Sequence, residues 1–161
     1  MKTQTCCFTG HRDLPQRDHA AIQKRLESEI TNLIHQGIRY FGAGGALGFD
    51  AMAAQAVLSL KEQHPQIKLI LVLPCKNQTK DWPEKDIKIY DQILQQADKV
   101  VYVSENYDSD CMQKRNRHLV DGSAVCLCYL TETKSGTAST VDYAKQQGLR
   151  ILNLHTNSPH T

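Results

Sequence analysis

Four short segments of the chain carry residue types that could bind a phosphorylated ligand, and the first of them is residues 9–12. Its sequence is Thr9, Gly10, His11, Arg12. Glycine permits a close approach of the backbone, and the arginine guanidinium forms forked hydrogen bonds with phosphate or carboxylate. A polar turn with an exposed cation explains the same residues, and a lone histidine is either an acid or base or a solvated side chain.

The second segment, residues 41–55, is the richest in glycine and reads FGAGGALGFDAMAAQ. Glycine-rich turns that lead into a helix present backbone N–H groups and the positive end of the helix dipole, which attract an anion. The predicted binding glycines are Gly44, Gly45 and Gly48. Their spacing matches the dinucleotide fingerprint only out of register, so a turn selected for tight packing remains the alternative.

Asp50, at the end of this turn, bears on whether the segment contacts a phosphate or a sugar. Its carboxylate would repel a phosphate, but at a helix start it caps the helix or accepts hydrogen bonds from sugar hydroxyls. We favour a contact with ribose-type hydroxyls. Asp50 is also the candidate catalytic carboxylate if the protein is an enzyme.

The remaining two segments precede and follow the fifth apolar run. Residues 104–123 include the basic residues Lys114, Arg115, Arg117 and His118, of which most are expected on a solvated helix face and one arginine in the site. Residues 133–140 contain serine, threonine and a glycine before a helix, which offers N–H and hydroxyl donors to an anion or simply an N-cap.

Trp82, the chain's only tryptophan, lies in a long segment after the third apolar run. Loops at that position often cover a ligand, so an indole there could stack on a base or sugar. An anchor that packs the loop onto the domain is the alternative.

The alternation of short apolar runs with longer amphipathic ones indicates the elements that position these segments. It predicts a Rossmann-like α/β fold, a three-layer α/β/α sandwich with a mainly parallel sheet of about six strands. Ligands bind such sheets beyond the carboxyl ends of the strands, where all four segments should meet. The predicted strands are 5–9, 38–41, 67–73, 99–103, 124–130 and 149–154, and the helices are 22–34, 50–62, 83–97, 109–120 and 137–147.

Composition narrows the protein class. The 161 residues are 40% hydrophobic and 22% charged, as in a globular protein, and predict a single domain over residues 1–161. No apolar run is long enough for a membrane helix and no signal peptide is evident, which predicts a cytoplasmic protein without a membrane partner. The six cysteines lack zinc-site spacing, so we expect packing thiols and no metal. A net charge of +2 argues against nucleic acid as a partner.

Together the motifs CFTGHR, GALGFD, RN and SGTAST resemble the YpsA-like branch of the SLOG superfamily, which includes DprA/Smf-type DNA-processing proteins and Lonely-guy enzymes. The resemblance covers nearly the whole chain and implies a Rossmannoid domain that binds a nucleotide or nucleotide-derived ligand. It adds Arg115, Asn116, Gly136 and Thr137 to the predicted ligand-binding residues.

The function predicted from these features is sensing or regulation through an ADP-ribose-like or sugar-nucleotide ligand, with no cofactor. The alternative is an N-glycoside hydrolase or ribosyl transferase. Thr140 stands where the resembling Lonely-guy enzymes have a catalytic glutamate, which argues against that hydrolysis and leaves catalysis open. A scaffold with a vestigial site is the third interpretation, and a homo-oligomer is compatible with the sequence.

Overall fold

A computed structural model describes residues 1–131 and 135–155. Six strands form one sheet: β1 Thr5–Gly10, β2 Tyr40–Ala43, β3 Lys68–Leu73, β4 Lys99–Tyr102, β5 Val125–Tyr129 and β6 Arg150–Asn153. Five α-helices connect them: α1 His19–His35, α2 Phe49–Lys61, α3 Glu84–Gln96, α4 Cys111–Asp121 and α5 Gly136–Gln146. Short 3₁₀ turns at Lys2–Gln4 and Gln16–Asp18 precede β1 and α1.

The sheet is parallel throughout, with strand order β4-β3-β2-β1-β5-β6. The chain moves outward from β1 to β4 and then returns to place β5 on the other side of β1. Strand order therefore reverses between β1 and β5, and the crevice at such a reversal is where open α/β sheets bind ligands. The predicted Rossmann-like architecture is confirmed.

Helices cover both faces of the sheet. On one face α2 packs between α1 and α3, and on the other α4 packs against α5. Each face has its own apolar core, with Phe8, Phe41 and Phe49 in the first and Val72, Val120 and Val141 in the second. The six cysteines are buried free thiols, which agrees with their predicted packing role.

Local sequence explains α1. Ile22, Leu26, Ile30 and Leu33 recur at helical spacing and are all buried. The helix ends at His35, and Gly37 follows with a φ of +100°, which suits the left-handed position after a helix. The Ile38 N–H bonds back to the Leu33 carbonyl at 3.0 Å.

This cap also explains the largest error in the predicted strand bounds. The sequence predicts that the second strand begins at residue 38. In the structure, the N–H of Ile38 closes the cap that follows α1, and β2 begins at Tyr40. The strand then continues through Gly42 and Ala43, which pair with Ile70 and Leu71. In the described part of the chain, none of the helices combines the length and apolarity that a membrane crossing requires.

Candidate functional site

The carboxyl ends of the strands surround a cavity of about 660 Å³, which we call the edge cavity. Of the thirteen residues proposed from sequence, nine line it, and all four predicted segments and the tryptophan loop contribute. The nine are Thr9, Gly10, Arg12, Asp50, Trp82, Arg115, Asn116, Gly136 and Thr137. The four that do not are His11, Gly44, Gly45 and Gly48.

The glycine-rich turn before α2 is packed tightly against its surroundings. Gly48 is the N-cap and has φ +75°, and a Cβ there would lie 2.1 Å from the Arg12 carbonyl oxygen. Gly45 has φ +73°, and a Cβ there would lie 2.3 Å from Leu73. Both glycines are required by backbone conformation and by close packing, whatever else they do.

Two backbone donors of this turn are engaged within the protein. Phe49 N–H donates to the carbonyl of His11 at 3.1 Å, which ties the start of α2 to the loop after β1. Ala46 N–H donates to the Asp50 carboxylate at 3.3 Å. Gly48 and not Asp50 is therefore the N-cap, and the Asp50 carboxylate takes the Ala46 N–H that an external anion would otherwise use.

Arg115 is the one basic side chain of α4 that is buried, with 6% of its surface exposed. Its guanidinium donates to the Gly44 carbonyl, and its Nε donates to Asn116 Oδ1 at 2.6 Å. The predicted arginine in the site is therefore Arg115. A Cβ on Gly44 would lie 2.5 Å from its Nη1, so Gly44 is a glycine because Arg115 lies against it.

Asp50 and Arg115 form a buried pair of opposite charge. Burial raises the pKa of Asp50, and the positive charge of Arg115 opposes that rise. Burial likewise lowers the pKa of Arg115, which the carboxylate of Asp50 opposes. In the described part of the chain the direct ion pairs are Lys61 with Asp98 and Lys76 with Glu105, so Asp50 and Arg115 interact without direct contact.

The loop after β1 supplies Thr9, Gly10, His11 and Arg12. Gly10 lies against Phe49, because a Cβ there would come within 2.4 Å of that ring. Arg12 is exposed at the mouth of the edge cavity. His11 faces away from the cavity, and its Nε2 accepts a hydrogen bond from Thr131 N–H at 3.0 Å. His11 thus links the loops after β1 and β5.

At the start of α5, Ser135 is the N-cap and its hydroxyl accepts from Ala138 N–H at 3.0 Å. The N–H groups of Gly136 and Thr137 precede the first helical hydrogen bond and lie at the edge cavity. No described heavy atom lies within 4 Å of where a Gly136 Cβ would be. Thr133 and Lys134, from the predicted segment 133–140, lie outside the described residues.

Thr140, at the position of the Lonely-guy glutamate, is buried in α5. Its hydroxyl donates to the Gly136 carbonyl one turn earlier at 3.0 Å. It does not line the edge cavity.

Trp82 lies in the wall between the edge cavity and a second cavity of about 640 Å³, the helix cavity, beneath the starts of α1, α2 and α3. Its ring meets Tyr90 edge to face, with centroids 5.5 Å apart. The helix cavity was not predicted from sequence. Arg12, Gly45, Gly48 and Asp50 of the predicted segments line it, and the packing of α1, α2 and α3 completes it.

Sequence reasoning also missed polar residues beside Trp82. Gln78 lines the edge cavity and its amide donates to the Tyr90 hydroxyl at 3.4 Å, whereas its Oε1 is buried without a partner among the described residues. Lys80 adds a cation to the same wall. The position of this loop after the third strand, next to Trp82, was the one feature of the sequence that could have indicated them. His, Cys, Asp and Glu side chains of the described residues form no cluster that could hold a metal ion.

The fold is similar to two solved structures of DNA processing protein A. The Streptococcus pneumoniae structure matches with TM-score 0.67 at 17% identity over 93% of this chain and 50% of its own. The Helicobacter pylori structure matches with TM-score 0.68 at 22% identity over 98% of this chain and 68% of its own. That protein binds single-stranded DNA.

This likeness corrects one prediction. The small net charge argued against nucleic acid as a partner, but a protein with the same fold binds single-stranded DNA. That exclusion is therefore wrong, because net charge averages over the whole surface and binding depends on local groups at one site.

Two curated relatives are similar over most of the chain. The SPβ prophage-derived protein YoqJ of Bacillus subtilis, itself uncharacterised, is 33% identical over 83% of this chain and 87% of its own length. A UPF0398 protein of Halalkalibacterium halodurans is 34% identical over 73% of this chain, which spans 64% of that relative. The family model described as the YspA SLOG family (YpsA) matches residues 7–155. The chain therefore belongs to the YpsA branch of the SLOG family.

Proposed function

We propose that the edge cavity binds a nucleotide-derived ligand, an ADP-ribose-like molecule or a sugar nucleotide, and that the protein acts as a sensor or regulator. The observation that supports this most directly is the division of the cavity into anion-binding groups and one buried carboxylate. Phosphate and sugar of a nucleotide need these two environments side by side.

The anion-binding groups lie on three elements. The start of α5 offers the N–H groups of Gly136 and Thr137 at the positive end of the helix dipole. Arg12 is exposed at the cavity mouth, and Arg115 lies buried in the wall. A phosphate placed between the start of α5 and these cations would find both backbone and charged donors.

Asp50 suits a sugar. Its carboxylate is 7% exposed and accepts from Ala46 N–H, which leaves further acceptor capacity. Because it is not in direct contact with Arg115, two neighbouring hydroxyls could donate to it at low cost. A neutral hydroxyl also fits a carboxylate that burial favours in its protonated form.

An N-glycoside hydrolase or ribosyl transferase is the second candidate, favoured by the raised pKa of the same carboxylate. In hydrolysis, the oxygen of water would bond to the anomeric carbon as the bond from that carbon to the base nitrogen breaks. Asp50 could give its proton to the departing base and recover one from the attacking water. Thr140 could not replace it, since its hydroxyl is bound within α5.

Single-stranded nucleic acid is a further candidate, favoured by the fold shared with the Helicobacter pylori DNA processing protein. A strand end would present the same phosphate and sugar chemistry to the edge cavity.

Trp82 provides the test, because the only tryptophan of the chain lies in the cavity wall. Titration with ADP-ribose or AMP should change its fluorescence, and calorimetry should give the affinity. We expect Arg12→Ala and Gly136→Val to weaken binding about tenfold or more, while Arg17→Ala, an exposed arginine outside both cavities, leaves it unchanged.

The same samples separate the candidates. Release of free base that Asp50→Asn abolishes would make the protein an enzyme, and preferential binding of a short oligonucleotide would make nucleic acid the ligand. Absence of all binding in the unaltered protein would overturn the proposal.

A further inference from the structure

The helix cavity and the edge cavity lie side by side and share lining residues. Arg12, Ala46, Asp50 and Trp82 line both cavities. Each volume, about 640 Å³ and about 660 Å³, lies within the range of small-molecule sites. Both cavities therefore reach Asp50.

The two cavities differ in charge. Among the described residues, the edge cavity is lined by the cations Arg12, Lys80 and Arg115 and the carboxylates Asp50 and Asp81. The helix cavity is lined by Arg12 alone against the carboxylates Asp13, Asp50 and Asp86. A phosphate is therefore attracted to the edge cavity and repelled from the helix cavity.

The helix cavity suits a flat apolar group. Leu71, Met52, Ile89 and Ile93 contribute apolar surface from β3, α2 and α3. Trp82, which lines both cavities, and Tyr90, which lines the helix cavity, add two aromatic rings whose centroids are 5.5 Å apart. Aromatic rings beside aliphatic side chains are the surroundings in which a nucleobase can stack and bury its faces.

Polar groups at the edges of the helix cavity could bind the edge of such a base. Gln55, His19 and Asp86 line it, and His19 Nε2 lies 3.1 Å from the Leu14 carbonyl. Gln78, in the wall of the edge cavity, donates to the hydroxyl of Tyr90, which lines the helix cavity, and its Oε1 is buried without a partner among the described residues. An amino group on a bound molecule, after a small rotation of that amide, would satisfy it.

We propose that the helix cavity is the nucleobase subsite of the ligand whose phosphate and sugar occupy the edge cavity, an inference that rests on the proposed function. Asp50 lies at the junction and holds the sugar, so the base extends beneath α1, α2 and α3 and the phosphate extends toward α5. The ligand class is then a base-bearing nucleoside phosphate, and a sugar phosphate without a base fills only half the site.

The test fills the helix cavity without touching the edge cavity. Ala51, in α2, and Ile89, in α3, line only the helix cavity. Ala51→Leu and Ile89→Phe place additional carbons in it from two different helices. Ser59→Leu adds the same side chain to an exposed position of α2 outside both cavities and serves as the matched control.

Two probes separate the halves of the site, ADP-ribose with a base and ribose 5-phosphate without one. We expect Ala51→Leu and Ile89→Phe to weaken ADP-ribose about tenfold or more and to change ribose 5-phosphate by less than about twofold. Ser59→Leu should change neither. Calorimetry suits the tighter ligand, and NMR chemical shifts suit the weaker one.

Each outcome bears on a different statement. If the filled variants bind ADP-ribose as the unaltered protein does, or lose both probes equally, the nucleobase subsite is wrong and the proposed function stands. If the unaltered protein binds neither probe, the proposed function is wrong and the subsite falls with it. Circular dichroism of each variant verifies that it is folded.

Discussion

The start of α2 and the start of α5 both contain glycine and both lie at the carboxyl edge of the sheet, but their donors are engaged differently. At α2, Phe49 N–H donates to His11 and Ala46 N–H to Asp50. At α5, Ser135 caps Ala138 N–H. Gly136 and Thr137 line the edge cavity, and their N–H groups have no hydrogen-bond partner among the described residues.

The glycines of the two regions differ in the same way. Gly45 and Gly48 have positive φ and leave no space for a Cβ, whereas Gly136 has negative φ and open space around it among the described atoms. Glycine density therefore does not by itself indicate an anion site. What matters is whether backbone donors remain free once the rest of the fold is in place.

The largest effect that would sharpen this contrast is expected from Arg115→Met. The arginine holds the Gly44 carbonyl of the α2 turn and faces buried Asp50, so its loss should destabilise the fold by about 3–5 kcal/mol. Urea unfolding measures this. Arg117→Met is the control, because Arg117 is exposed on the same helix and only stacks over Tyr143, and it should cost about 1 kcal/mol or less. Equal costs would contradict the internal role of Arg115.

Gly48→Ala should cost somewhat less. The new Cβ would meet the Arg12 carbonyl at 2.1 Å in a backbone conformation that side chains rarely adopt, for a loss of about 3 kcal/mol. Gly136→Ala is the matched change at α5, and it should leave the free energy of unfolding unchanged or slightly increased. Thermal unfolding of both variants decides this, and an equal loss in both would remove the distinction between the two helix starts.

Loss of the α5 cap should have a smaller effect. Ser135→Ala removes the acceptor for Ala138 N–H and should cost about 1 kcal/mol. Ser139→Ala, at an exposed position of the same helix, should cost nothing measurable. A cost of several kcal/mol for Ser135→Ala would mean that the α5 start is as firmly held as that of α2.

Asp50 gives the smallest expected effect, a change with pH. Burial raises its folded-state pKa above the ordinary 3.8, so the folded protein retains this proton to higher pH than the unfolded chain. Stability that depends on Asp50 therefore falls as pH rises from about 4 through the folded-state pKa. The stability of the unaltered protein relative to Asp50→Asn should decrease over that interval. Urea unfolding at several pH values measures it, and parallel curves would contradict a buried, perturbed carboxylate.

Local patterns made much of the fold predictable. The helical spacing of Ile22, Leu26 and Ile30 predicts α1, and unbroken apolar runs predict buried parallel strands. The error at residue 38 arose because an apolar residue that closes a helix cap has the same appearance as one that begins a strand.

The position of the candidate site in the fold was predictable, and its detail less so. Strand ends of a parallel sheet meet at one edge, so the convergence of the four segments followed from topology. The rotation of α4 decides which of its basic residues lines the edge cavity. The motif resemblance had already indicated Arg115. The helix cavity was not predictable as a separate space. The glycine-rich turn lines part of it, but the apolar residues of α3 that complete it belong to no motif.

The sequence by itself determined the order of strands and helices, the glycines that the backbone requires, and the residue types gathered at the sheet edge, because these depend on local periodicity and side-chain chemistry. Only the tertiary structure decided which donors remain free. Two partners of the α2 turn lie far from it in sequence: the His11 carbonyl, which accepts from Phe49 N–H, and Arg115, which donates to the Gly44 carbonyl. They reach the turn through the packing of β1 and α4. Hydrogen bonds between distant residues leave no local pattern, so the choice between an anion cradle and a packed turn required the fold.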